Sequence, residues 1–217
     1  MSGITRGPRF FPNLPDNHHS LQAAVLSVLS YFGKELSWGE VEALTWYREG
    51  LASWSVMGAR ALASQVNGTR LLSSVDYVEF VRRGDEFFDA EWTPEFVTGL
   101  RTEASLGLAH ERDAAVDFLA RGSFELLTSL SARVVSDSLL ENLLIASVDP
   151  GLLREGPPSE TERFVVVFAA LRGSFLVHDP GPPARIGVTI GKDTFIKAFR
   201  GDLIVVPRID PRDLPKE

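Results

Sequence analysis

Apolar residues recur at helical spacing early in the chain and in short β-branched runs late in it. Leu21, Ala24, Val25, Val28 and Phe32 fall at i, i+3, i+4, i+7 and i+11. That is one continuous helix face, and with Gly33 placed to end it in a left-handed cap, a buried helix is expected over residues 18–33. Ser37-Trp38-Gly39-Glu40 has the form of a capping box opening a helix over Trp38–Trp46. A third helix, capped by Ser55, carries Val56, Ala59, Leu62, Ala63 and Val66 on one face and stops at Asn67-Gly68. From Leu71 to Val135 the pattern predicts further helices: Asp76–Arg83 ending at Gly84, one opened by Thr93-Pro94-Glu95, and Ala114–Arg121 ending at Gly122. Within this stretch Asp85–Trp92 mixes acids with aromatics, which predicts a loop whose rings plug the core while its acids stay in water.

The last third changes period. Leu143–Val148, Phe164–Ala169, Ser174–Val177, Ile186–Ile190 and Leu203–Val206 are short runs separated by turn residues, as expected of an antiparallel sheet. Leu171-Arg172-Gly173-Ser174 reads as a hairpin connection. Helices first and strands after predict an α+β fold, its N-terminal helical part packed on a C-terminal antiparallel sheet. Ahead of both, the proline-rich arm Arg9–Asp16 is expected to be extended, with Phe10 and Phe11 packed down.

Composition narrows the function classes. A chain of 217 residues, 44% hydrophobic, suits a single domain over 1–217, with the helical stretch at about 70–135 as an insertion. The net charge of −7 argues against nucleic acid or an anionic membrane as partner. Zero cysteines remove disulfides, thiolate zinc sites and cysteine catalysis together. The first residues hold no apolar signal core, and no later run is long enough to span a bilayer, so the cytoplasm is the expected compartment. His18, His19, His110 and His178 lack metal-ligand spacing, and no glycine motif cradles phosphate, so neither metal nor cofactor is expected.

Three blocks carry a resemblance to the papain-like cysteine peptidases, in the branch of double-glycine leader peptidases that process bacteriocins. That family opens its first helix with Cys-Gly-Pro-Ala and ends it with Tyr-x-Gly. Matching Tyr31-Phe32-Gly33 to this ending puts the nucleophile's position on Ser20. The family's His-Phe-Val-Val strand is similar to Arg163-Phe164-Val165-Val166-Val167, and its later strand ending in Asp-Pro is similar to Phe175–Pro180. Thr194–Gly201 followed by Leu203–Val206 is similar to the closing helix and strand, while about residues 70–135 are not covered. The resemblance implies a papain-like fold in which Ser20, Arg163 and Asp179 hold the catalytic positions and Asp179 alone keeps the family residue. It also implies an amide side chain on the oxyanion side, and Asn13 lies near that position. A plain turn asparagine is the other reading of Asn13.

The chemistry of such a site is broken at two positions. A serine hydroxyl is a far weaker acid than a thiol, and an always-protonated arginine cannot accept its proton. His18 and His19 are cleft candidates that would have to serve as base from the loop just before Ser20, a poor geometry for reaching its hydroxyl. Ser20 as a helix N-cap is the economical reading. The expectation is therefore a non-catalytic, degenerate peptidase-like module with a peptide or protein ligand in the former cleft. The alternatives are a serine-dependent hydrolase or acyltransferase using Ser20, and a structural or interaction protein with a vestigial cleft. A surviving buried carboxylate at Asp179 needs a partner, which predicts an Arg163–Asp179 ion pair with two-pronged geometry.

Overall fold

Helix α1 (Ser20–Tyr31) is buried from Ser20 to Leu29, including Leu21, Val25, Val28 and Leu29 at 0% exposure, with Ser30 and Tyr31 partly buried at its end. The computed structural model describes residues 7–49, 53–84, 86–91 and 107–208. Helix α1 ends as its sequence predicts: Gly33 takes φ 71° and donates to Ser30 O at 3.1 Å, while Lys34 N–H reaches Leu29 O at 3.1 Å. Its start differs. His19 is the N-cap, without a side-chain capping bond, and Ser20 is the first helical residue. A turn closed by Asn17 N–H on Leu14 O, with Asn17 at φ 63°, brings the chain in so that Ser20 faces the sheet rather than the helix end.

Helix α2 (Trp38–Leu44) has the predicted capping box: Ser37 Oγ accepts from Glu40 N–H, and Glu40 Oε2 accepts from Ser37 N–H at 2.7 Å. It stops at Leu44 rather than Trp46, where the backbone turns left-handed at φ 53°. Helix α3 (Ser55–Ala63) is N-capped by Trp54, not Ser55, because the Ser55 hydroxyl is donated to Asp202 Oδ2 at 2.7 Å instead. Gly58 lets α3 lie against α1, since a Cβ there would come within 2.6 Å of Leu21 Cδ1.

A seven-stranded sheet in the order β2-β1-β7-β3-β4-β5-β6 forms the other layer. β3 (Asn142–Val148), β4 (Arg163–Ala170), β5 (Ser174–Asp179), β6 (Arg185–Gly191) and β7 (Phe199–Pro207) realise the five predicted runs. Leu171 N–H on Ser174 O closes the β4–β5 hairpin. The stretch expected to be wholly helical also supplies two strands, β1 (Arg70–Ser73) and β2 (Ser123–Leu126). β1 runs antiparallel to β7 but parallel to β2, so the sheet is not purely antiparallel. Helices α4 (Tyr77–Arg83), α5 (Glu86–Glu91) and α6 (Gly107–Leu119) lie between those strands in the chain, which is the long crossover that a parallel pair requires. Phe87 and Phe88 plug the core as expected, but from a helix rather than a loop, because Phe80 meets both rings. Thr93-Pro94-Glu95, Asp85 and Trp92 lie outside the described residues.

Alternation along the strands divides the core. Phe164, Val166, Ile145, Ile204 and Val206 pack with α1 and α3. Val165, Val167, Phe175, Val177 and Val205 pack on the opposite face with α7 (Ala132–Ser138), α8 (Lys192–Ala198) and the short 3₁₀ turn η1 (Leu152–Arg154). The fold is therefore α+β, with the N-terminal helices on one face of the sheet. Among the described residues no helix is long and apolar enough to cross a membrane.

Candidate functional site

Two of the positions singled out in the sequence, Ser20 and Asn13, sit at the start of α1. Ser20, 8% exposed, is tied to β4: its Oγ accepts a hydrogen bond from Phe164 N–H at 3.2 Å. Asn13 holds the approach to the helix. Its backbone N–H donates to Pro180 O, its Oδ1 accepts from His19 N–H at 2.9 Å, and its Nδ2 donates to Gly181 O and to Asn17 Oδ1. The amide expected near an oxyanion position thus acts as a turn clamp between the end of β5 and the start of α1.

The two candidate histidines part company. His18 is exposed, and its backbone N–H caps onto Asp16 Oδ1. His19 is buried and held on both sides: Nδ1 faces Asp16 at 3.0 Å and Nε2 faces Glu42 Oε1 at 3.1 Å. Its ring also lies 4.2 Å from that of Tyr47 and meets Trp38 edge-on. With both ring nitrogens engaged by carboxylates, His19 has no lone pair directed at Ser20.

Arg163 and Asp179 do pair, Nη1 to Oδ1 at 3.4 Å, with side chains 7% and 0% exposed. The contact is a single hydrogen bond rather than the predicted two-pronged one, because other donors occupy the carboxylate. Arg154 Nη2 reaches Asp179 Oδ2 at 2.9 Å and Arg185 Nε reaches it at 3.1 Å, while Gly181 N–H donates to Oδ1 at 3.0 Å. Burial works against the Asp179 anion, but the hydrogen bonds from Arg154 and Gly181 and the charges of Arg163 and Arg154 outweigh it and hold its pKa below the ordinary carboxylate value. Gly181 makes this turn at φ 81°, where a Cβ would sit 2.2 Å from Ala184 N.

Arg163 shares the parity of Val165 and Val167, and Asp179 that of Phe175 and Val177, so alternation assigns the ion pair to the sheet face away from α1. Ser20 meets β4 through the backbone of Phe164, and among the described residues no hydrogen bond joins it to Arg163 or Asp179. His178 takes the other parity, as the strand pattern implies. It accepts from Gly187 N–H through Nδ1 at 2.9 Å, faces Pro8 O through Nε2 at 3.0 Å, and packs between Phe10 and Phe168. Burial lowers its pKa, and the Pro8 carbonyl opposes this only in part.

Beside His19, Glu42 and Tyr47 open onto a shallow pocket of about 370 Å³ that also takes in Trp46, Arg48, His110 and Asp113. Arg154, Arg185, Asp16, Glu42 and Tyr47 are the site residues that sequence reasoning missed. The only signal for the first two was the buried carboxylate itself, which demanded cations without saying from where. Among the described residues no group of three or more His, Asp and Glu side chains is placed to hold a metal ion.

No protein-family model matches the chain, and no curated protein matches it. Among solved structures it is similar to the peptidase domain of Streptococcus ComA, a bifunctional ABC transporter involved in a quorum sensing pathway. The two are 12% identical with a TM-score of 0.49, over 92% of this chain and 98% of that one.

Proposed function

We propose that this chain is a non-catalytic module of papain-like arrangement that binds a peptide or protein beside the start of α1. The observation that carries the reading is the bonding of Ser20, whose hydroxyl oxygen accepts the N–H of the first inward residue of β4, Phe164, with no base among the described residues hydrogen-bonded to it. His19 is committed to Asp16 and Glu42, and Arg163 has no lone pair with which to take a proton. A serine without a general base is a poor nucleophile at neutral pH, which weighs against a hydrolase or acyltransferase working through Ser20. Binding is supported by the pocket next to His19, where the Tyr47 and Trp46 rings stand beside Glu42, Asp113 and Arg48. Aromatic bodies with a few charged tips suit a peptide segment better than a small apolar ligand.

Selection of displayed random peptides against the purified full chain tests this. Enriched peptides are expected to lose roughly tenfold or more in affinity on Tyr47→Ala, with the variant's melting curve kept as a folding control. Peptides bound equally well by wild type and Tyr47→Ala, or no enrichment at all, would remove the proposed cleft.

A further inference from the structure

We infer that the cluster of Arg154, Arg163 and Arg185 forms an oxyanion site whose ligand is a phosphoryl group. All three guanidiniums converge on one carboxylate, at 2.9, 3.4 and 3.0 Å from Asp179. Three unit positive charges against one negative leave the cluster with an excess of two, close to the charge of a phosphoryl dianion and twice that of a carboxylate. Among the described residues no second acid pairs with these arginines. Glu155 and Glu162, their neighbours in sequence, are turned to Thr194 and Ser147, and Asp149 is taken by Arg200.

Asp179 itself has no capacity left. Oδ1 accepts from Arg163 and Gly181, and Oδ2 accepts from Arg154 and Arg185. Arg154 also donates to Pro182 O and Pro183 O, but donors remain on the arginines: among the described residues Arg154 Nε is buried without a hydrogen-bond partner, and Arg163 makes one hydrogen bond. Like charges gathered at a partly buried point repel one another, and a bound anion removes that cost while meeting the planar, multiply donating edges that guanidiniums present to phosphate. Solvent reaches the cluster through Arg154 and Arg185, whose side chains are each 26% exposed. The site is independent of the peptide reading, because alternation assigns it to the sheet face away from α1.

The test is calorimetric titration of the full chain at constant ionic strength with inorganic phosphate, phenyl phosphate and acetate. Phosphate is expected to bind at least roughly tenfold more tightly than acetate, and Arg154→Gln and Arg185→Gln are each expected to weaken it several-fold. Phenyl phosphate binding as tightly as phosphate would assign the site to a phosphorylated ligand. Phenyl phosphate excluded while phosphate binds would assign it to the free ion. Acetate equal to phosphate, no heat from any anion, or phosphate affinity unchanged in variants with a wild-type circular dichroism spectrum would overturn the inference. Should either variant fail to fold, the comparison of phosphate with acetate on the wild type still decides it.

Discussion

The hydroxyl oxygen of Ser20 lies 3.2 Å from the backbone nitrogen of Phe164 and accepts its hydrogen bond. This contact fastens the first turn of the central helix to the first inward-facing residue of β4. Ser20 serves here as a tie between the helical layer and the sheet.

Ser20→Ala leaves the Phe164 N–H buried beside a methyl group. The expected cost is about 1–3 kcal/mol, the usual penalty for a buried donor stripped of its acceptor. Urea denaturation of the two proteins measures it, and an unchanged midpoint would show that the tie carries no stability.

Asp179 and Arg163 should respond unequally to truncation. Arg163→Ala leaves Asp179 with Arg154, Arg185 and Gly181 as donors, so a loss of about 1–3 kcal/mol is expected. Asp179→Ala leaves three guanidiniums facing one another around an apolar hole, for which about 3–5 kcal/mol is expected. The order of the two denaturation midpoints is the check, and a larger effect at Arg163 would reverse the assigned hierarchy.

His178 adds a pH dependence of determinate sign. Its folded pKa lies below the ordinary 6.5 because burial disfavours the charged ring. Below pH 6.5 the unfolded chain therefore binds a proton that the folded chain resists, and stability from this residue falls as pH drops from 6.5 toward the folded pKa. Above 6.5 its contribution is fully present. Melting temperatures of wild type and His178→Gln between pH 7.5 and 5 should converge as pH falls; a constant gap between them would contradict the neutral buried ring.

Glu111 runs the other way. Its side chain is fully buried, accepts from Tyr77 OH at 2.9 Å and leaves Oε2 without a hydrogen-bond partner among the described residues. Burial raises its pKa well above 4.5, with Asp202 adding to the effect and the Tyr77 hydrogen bond opposing it. Stability from this group is thus complete below 4.5 and lost as pH rises toward the folded pKa, since the unfolded carboxyl ionises first. Glu111→Gln keeps an acceptor for Tyr77 and has no proton to lose. Its stability relative to wild type should grow with pH above 4.5, by at most about 1.4 kcal/mol per unit. A pH-independent difference would exclude a neutral buried carboxyl.

Much of this architecture was legible in residue periods. The face formed by Leu21, Ala24, Val25 and Val28 specified α1 because a helix buried all along one stripe leaves no other pattern, and the five β-branched runs specified β3 to β7. β1 and β2 were hidden because each is only four residues long and is paired with partners far away in the chain. Ser55 and Ser20 looked like caps, since local sequence cannot show a competing acceptor or donor such as Asp202 or Phe164 N–H. The Arg163–Asp179 pair could be anticipated from the need of a buried carboxylate for a cation. Arg154 and Arg185 could not, because η1 and the turn after Gly181 bring them in only once the sheet has formed.

On the proposed reading Ser20 is bonded into the fold and not activated. Intact-mass measurement after incubating the full chain with a fluorophosphonate probe at neutral pH tests this most directly. An unchanged mass, in wild type and Ser20→Ala alike, is expected. A single probe adduct that maps to Ser20 and disappears in Ser20→Ala would contradict it.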